Sequence, residues 1–272
     1  MSLNNPQKIS LLFFLTLLLF WSALFFNHVK EGVYNYLYSF LFGLTPLVGG
    51  AFIITRLKIW GGVKTDIGKA VCFIGLGIFL WGCGEMVWSY YNFFLKVPAP
   101  YPSLADIFFA PSIFLYGLGA FYLSKITGIR FGLRGKIEQI TIFASLLVVF
   151  IVSYFVLVVV ARGGVITSPD DNLLKVVLDI IYPLADFFDL AILAIVTSLS
   201  FKYILKGGKY TFDIMAILLG LGIMFIADSV FSYTTTVGTY YNANWGDLLL
   251  TFGTFFLTFG VLGFYDVKKV SA

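Results

Sequence analysis

Apolar residues fill eight long stretches of this chain, at about 9–27, 34–55, 67–91, 104–124, 138–161, 173–203, 211–235 and 246–265, and short polar or aromatic connections separate them. A helix needs roughly 20 apolar residues to cross hydrocarbon about 30 Å thick. None of the stretches shows the two-residue alternation of a barrel strand. The pattern therefore predicts an all-α polytopic membrane protein of about eight transmembrane helices, forming one domain over residues 1–272. Short connections pair the helices into hairpins at approximately 9–55, 67–124, 138–203 and 211–265. The first apolar run is long for the core of a secretory signal, and no small-x-small cleavage site precedes Asn27 and His28, so it reads as a retained helix.

Composition agrees with this pattern. Hydrophobic residues make up 60% of the chain and charged residues 12%, with a mean hydropathy of +0.94; a soluble domain charges roughly a quarter of its residues. The few cations are placed unevenly. Arg56, Lys58, Lys64 and Lys69 follow the second stretch, Lys125, Arg130, Arg134 and Lys136 the fourth, Lys202, Lys206 and Lys209 the sixth, and Lys268 and Lys269 the eighth. The opposite connections hold only the scattered Lys30, Lys96, Arg162 and Lys175. By the positive-inside rule both termini are expected in the cytoplasm. The net charge of +4 is thus a topological signature spread over short loops, and nucleic acid is not an expected partner.

Two segments are imperfect copies of each other. Glu85-Met-Val-Trp-Ser-Tyr90 returns as Asp228-Ser-Val-Phe-Ser-Tyr233, and each is followed by a second acid, Asp106 or Asp247, that opens the next helix. Gly77 corresponds to Gly220 and Gly119 to Gly260, which predicts a parallel repeat of hairpins. Tyr182-Pro-Leu-Ala-Asp186 echoes Tyr101-Pro-Ser-Leu-Ala-Asp106 as a weaker third copy, and Tyr34, Tyr36 and Tyr38 stand where a degenerate fourth would carry its acid.

Carboxylates inside an apolar helix are costly and mark a site unless a structural bond uses them. Asp179, Pro183, Asp186 and Asp189 share one helical face. With Glu85, Asp106, Asp228 and Asp247 they are expected to converge on an outward-opening cavity lined by Trp88, Tyr90, Tyr101, Tyr182, Tyr233 and Trp245. Acids gathered this closely hold protons or recruit a cation. Two plainer readings stay open. Asp106 and Asp247 stand where a carboxylate caps a helix, and external Tyr and Trp, Tyr240 and Tyr241 above all, read as an interfacial belt. Glycines at 75, 77, 82, 84, 117, 119, 220, 222, 253, 260 and 263 read as close helix contacts. Pro46, Pro111 and Pro183 lie inside helices and are expected to bend them. Cys72 and Cys83, about 16 Å apart along one helix, are too far apart for a disulfide and read as buried thiols.

Chemistry is limited by what is scarce. A single histidine, His28, excludes haem pairs, histidine-based zinc sites and serine-type triads. No mid-span lysine is placed for a retinal Schiff base, and Asn244-Trp-Gly-Asp247 does not fit the paired motifs of intramembrane aspartyl proteases. An enzyme is not expected, nor is a cofactor.

Leu80-Trp-Gly-Cys-Gly-Glu-Met-Val-Trp-Ser-Tyr-Tyr91, followed by Pro100-Tyr-Pro-Ser-Leu-Ala-Asp-Ile-Phe-Phe109, resembles the repeated hairpin in the N-terminal sensory regions of prokaryotic membrane-bound diguanylate cyclases and sensor histidine kinases. Asp179–Asp186 and Trp245–Leu250 are similar to later segments of the same regions, and the resemblance spans about residues 75–265. It implies a bundle in a prokaryotic plasma membrane that detects a signal and passes it to a cytoplasmic output domain. No stretch here reads as such a domain, so a partner protein is expected to complete the relay. The leading expectation is a sensor that binds a cation or small polar ligand. A proton- or cation-coupled transporter or channel, or a structural subunit of a membrane complex, is the alternative.

Overall fold

The computed structural model describes residues 3–126, 136–165, 172–205 and 210–265. Arg130, Arg134, Lys206, Lys209, Lys268 and Lys269, which contribute to the charge asymmetry, lie outside them, as do the side chains of Lys136 and Lys202. Every regular element among the described residues is helical: α1 (Asn5–Phe26), α2 (Val33–Thr55), α3 (Asp66–Tyr90), α4 (Asp106–Ile126), α5 (Lys136–Ser153), α6 (Leu173–Leu205), α7 (Thr211–Thr236) and α8 (Trp245–Gly263). Wider π-type turns extend α3 through Tyr91–Leu95 and α5 through Tyr154–Val160. The expected loop after residue 91 therefore begins as helix.

Local chemistry fixes several ends. The Asn4 side chain accepts from the Gln7 amide at 2.9 Å, and the Gln7 side chain accepts from the Asn4 amide at 3.3 Å, a reciprocal cap with Pro6 in the first turn. Thr65 caps α3 through the Gly68 amide at 3.0 Å, and Asn244 caps α8 through the Asp247 amide at 3.1 Å. Each cap satisfies an amide that the helix leaves free.

Among the described residues six helices are long and apolar enough to cross a membrane: α1, α2, α3 with its extension, α4, α7 and α8. Of the other two, α5 contributes the shorter apolar stretch Leu146–Val160. The first half of α6 carries Lys175, Asp179, Asp186 and Asp189. The outer surface is apolar where water would normally demand charge: Ile9, Leu12 and Leu19 on α1 and Phe143, Phe150 and Ile151 on α5 are all exposed. Such a surface suits acyl chains.

Inside, α3 and α7 each pack along the helix that follows them, and a core of Ile74, Ile78, Ile214, Ile217, Leu257 and Val261 fills the space between the two pairs. Missing side chains set the spacing. A Cβ on Gly77 would lie 2.7 Å from the Tyr116 ring and 3.1 Å from the Ser112 carbonyl oxygen, and one on Gly220 would lie 2.9 Å from Leu257 and 3.1 Å from the Gly253 carbonyl oxygen. On the flanks, α2 packs along α3 and against α8, while α6 packs along α4 and more lightly against α7. α1 lies on α8 and α2, and α5 lies on α6. The two cysteines are free and half-buried, not fully buried as expected.

Candidate functional site: an acidic cavity at one end of the bundle

A cavity of about 520 Å³ opens at the end of the bundle where α3 hands over to α4 and α7 to α8. Six carboxylates line it: Glu85 from α3, Asp106 from α4, Asp179 and Asp186 from α6, Asp228 from α7 and Asp247 from α8. Their surroundings divide them into two kinds.

Three are held. Asp247 accepts from the Ala243 amide at 2.6 Å, the Tyr240 hydroxyl at 3.2 Å and the Ser39 hydroxyl at 3.4 Å. Asp106 accepts from the Ser103 amide at 2.6 Å and the Tyr182 hydroxyl at 2.6 Å. Each reaches back to an amide just before its helix and also takes a phenol, so the capping and cavity-lining roles coincide. Asp179, at the mouth, accepts from Tyr101 at 2.9 Å, pairs with Arg162 at 3.2 Å and with Lys175 at 3.1 Å. The two cations that look scattered in sequence converge on one carboxylate, because the chain after α5 folds back over the start of α6.

The other three are not held. Glu85 and Asp186 are only 6% and 5% exposed, face the cavity, and meet no hydrogen-bond donor among the described residues. Asp228, less deeply buried, likewise has no donor there and sits within electrostatic range of Asp186. The Glu85 β-carbon abuts Gly43 of α2, 2.6 Å from where a Cβ on that glycine would stand. A buried acid without donors is costly unless it holds a proton or meets a cation.

Aromatic rings make the walls. Trp88, Phe231 and Tyr240 pack edge to face, with centroids 5.9, 6.0 and 5.0 Å apart; Trp81 and Phe109 meet at 5.5 Å. In the connections outside the helices, burial and then the charge of Asp179 push the Tyr101 phenol up, and burial, Asp247 and Glu85 do the same to Tyr240. Both phenols therefore remain protonated donors.

The cavity brings together Glu85, Asp106, Asp186, Asp228, Asp247, Trp88, Tyr101 and Tyr182 as the sequence predicts. It does not include Asp189 or Trp245. Asp189 shares the face of Asp186 but sits one turn deeper, buried against Gly117, with its Oδ1 unpartnered among the described residues. Trp245 precedes Asp247 by two positions, roughly 200° around the helix, so it points away and packs on Trp21 and Phe25 at 4.8 and 5.1 Å. Tyr90 and Tyr233, each five positions beyond its acid, are 51% and 46% exposed and also miss the cavity. Trp88 and Phe231, three positions beyond, turn in. Tyr240, read as belt, belongs to the site instead.

Sequence reasoning missed Asn242. Its Oδ1 accepts from Ser39 at 3.1 Å, Trp88 at 3.1 Å and Asn92 at 3.3 Å, and its carbonyl accepts from Asn35 at 2.9 Å. This one side chain ties α2, α3 and the α7–α8 connection together behind the aromatic wall. The available signal was an amide placed in an aromatic turn, Tyr240-Tyr241-Asn242-Ala243-Asn244.

Among the described residues no group of three or more His, Cys, Asp or Glu is arranged to hold a metal ion. Compared with family models, curated proteins and solved structures, the chain finds no match.

Proposed function

We propose that this chain is a sensor or receptor-like membrane module that binds a cation or small polar ligand in the acidic cavity and passes the event to a partner protein. The observation that carries this reading is the pair Glu85 and Asp186, buried on two different helices, open to one cavity and without donors among the described residues. Charge left this way is worth keeping only if something arrives to neutralise it. Binding would draw α6, which holds α7 only lightly and contains Pro183, toward α3 and α7. A ligand with different affinity for the two arrangements shifts their populations.

The cavity is taken to face outward across a prokaryotic plasma membrane, with eight spans and both termini inside. Support comes from Arg56, Lys58, Lys64, Lys69 and Lys125, which all lie toward the opposite end of the bundle. A duplicated hairpin is the accompanying reading. The partners of Gly77 and Gly220 advance in step, Tyr116 with Ser112 in one pair and Leu257 with Gly253 in the other, and Glu85, Trp88 and Asp106 answer to Asp228, Phe231 and Asp247. The resemblance to sensory regions of diguanylate cyclases and histidine kinases points to a cytoplasmic signalling partner. Alanine at Glu85 and Asp228 tests the reading: ligand- or proton-dependent thermal stability should disappear, and its persistence would refute the site.

A carrier is the second reading, favoured by Asp213 at the far end of α7, buried and bonded to Gln7 at 3.1 Å. Between Asp213 and the cavity, α7 buries Ile214, Ile217, Leu221 and Met224, a stretch with no polar step for an ion. A cation flux in proteoliposomes that is lost on Asp228→Asn would establish the carrier; a flat trace removes it.

A further inference from the structure

The ligand class can be narrowed, on the basis of the ligand-binding reading above. Donors and cations of the protein already occupy Asp106, Asp179 and Asp247. What remains for an occupant is Glu85, Asp186 and Asp228, three carboxylates on three helices around one space. Asp186 and Asp228 lie within electrostatic range of each other, so one positive charge relieves both; a neutral polyol leaves the buried charge in place.

Among cations, three observations choose. The cavity, at about 520 Å³, falls in the roughly 300–1,000 Å³ range of sites for organic molecules. No acid cluster among the described residues is arranged for a metal ion, and a hard divalent cation needs several oxygens converging at roughly 2.0–2.6 Å. The surfaces between the acids are hydrocarbon and ring: Trp81, Phe109, Trp88 and Phe231, with Ile113 and Leu157. Ring faces attract ammonium groups, and hydrocarbon walls favour a ligand with a body of its own to bury.

We infer that the cavity binds an organic ammonium ion, its charged end held by Asp186 and Asp228 and its apolar body against the Trp81–Phe109 wall beside Glu85.

The test uses the purified full-length chain, reading thermal unfolding and tryptophan fluorescence at matched ionic strength. The probes are methylammonium, butylammonium and phenethylammonium, with 2-phenylethanol as the neutral isostere and calcium and magnesium chlorides as metal controls. Saturable stabilisation by ammonium ions, tightening from methyl to phenethyl and absent for the alcohol, is the expected result. Asp186→Asn with Asp228→Asn should weaken phenethylammonium binding at least tenfold, whereas Asp189→Asn, one turn below the floor, should bind as the natural protein does. Equal binding of the alcohol, or no response to any ammonium ion, overturns the inference. Stabilisation by a metal alone overturns it while leaving the ligand-binding reading intact; no response to any probe removes support from both. Mass spectrometry of lipid carried through purification separates the two sources of the same chemistry. An aminophospholipid displaced by phenethylammonium assigns the site to a headgroup, and its absence assigns a soluble amine.

Discussion

The two flanking helices α2 and α6 occupy corresponding grooves, α2 against α3 and α8, α6 against α4 and α7, yet one groove is sealed and the other is open. On the α2 side backbone meets backbone: a Cβ on Gly82 would lie 2.6 Å from the Leu47 Cα, and one on Gly50 would lie 2.8 Å from the Gly75 carbonyl oxygen. Where α6 meets α7, the nearest atom to a Cβ on Gly222 is the Leu193 methyl at 3.6 Å, an ordinary contact. Small residues let membrane helices approach closely; α6 is held tightly on α4 at Gly117, where a Cβ would clash with Asp189 Oδ1, and the looser α7 face is where the cavity opens. Acids line both halves, but space to use them comes from the looser flank.

The comparison breaks most decisively at its tight end. Gly82→Leu drives a side chain into the Leu47 backbone and should cost about 3 kcal/mol or more, seen as a large drop in the unfolding midpoint in detergent. Gly222→Ala, with room for its methyl and a helix propensity about 1 kcal/mol better than glycine, should leave the midpoint unchanged or slightly higher. Equal losses at both positions would erase the distinction between the flanks.

The acids offer a finer contrast. Asp247→Ala strands the Ala243 amide and the Tyr240 hydroxyl, and unpaired buried donors cost about 1–3 kcal/mol. Asn242→Ala strands Trp88 and Asn92 in the same way, with a loss of similar size and altered tryptophan emission. Asp186→Asn removes a charge that meets no hydrogen-bond donor among the described residues and should change unliganded stability by less than about 0.5 kcal/mol or raise it, since a buried charge without donors opposes folding. A stability loss at Asp186 as large as that at Asp247 would mean that both acids are structural.

Much of this was legible in the chain. Among the described residues the helices follow the apolar runs closely, because an apolar run that crosses lipid, as six of them are long enough to do, must satisfy its own backbone. The acids were found for the same reason, as charge inside hydrocarbon has few innocent uses. Direction around each helix was harder. Trp88 was placed correctly and Tyr90 and Trp245 were not, although all are aromatic near an acid; position relative to the acid at roughly 100° per residue separates them, and chemical kind does not. Depth was harder still. Asp186 and Asp189 share a face, and only the packing of Gly117 against α6 decides that the cavity stops between them. Asn242, Arg162 and Lys175 act across connections whose fold no periodicity encodes.

That boundary between Asp186 and Asp189 is the most direct test of a cavity lined by unpaired carboxylates. In a chain with Cys72 and Cys83 replaced by serine, Asp186→Cys and Asp189→Cys are each exposed to a small trimethylammonium methanethiosulfonate reagent added outside intact cells. The thiol at 186 should react quickly, while the thiol at 189 stays unmodified. Equal reactivity at the two positions, or none at 186, would contradict the account.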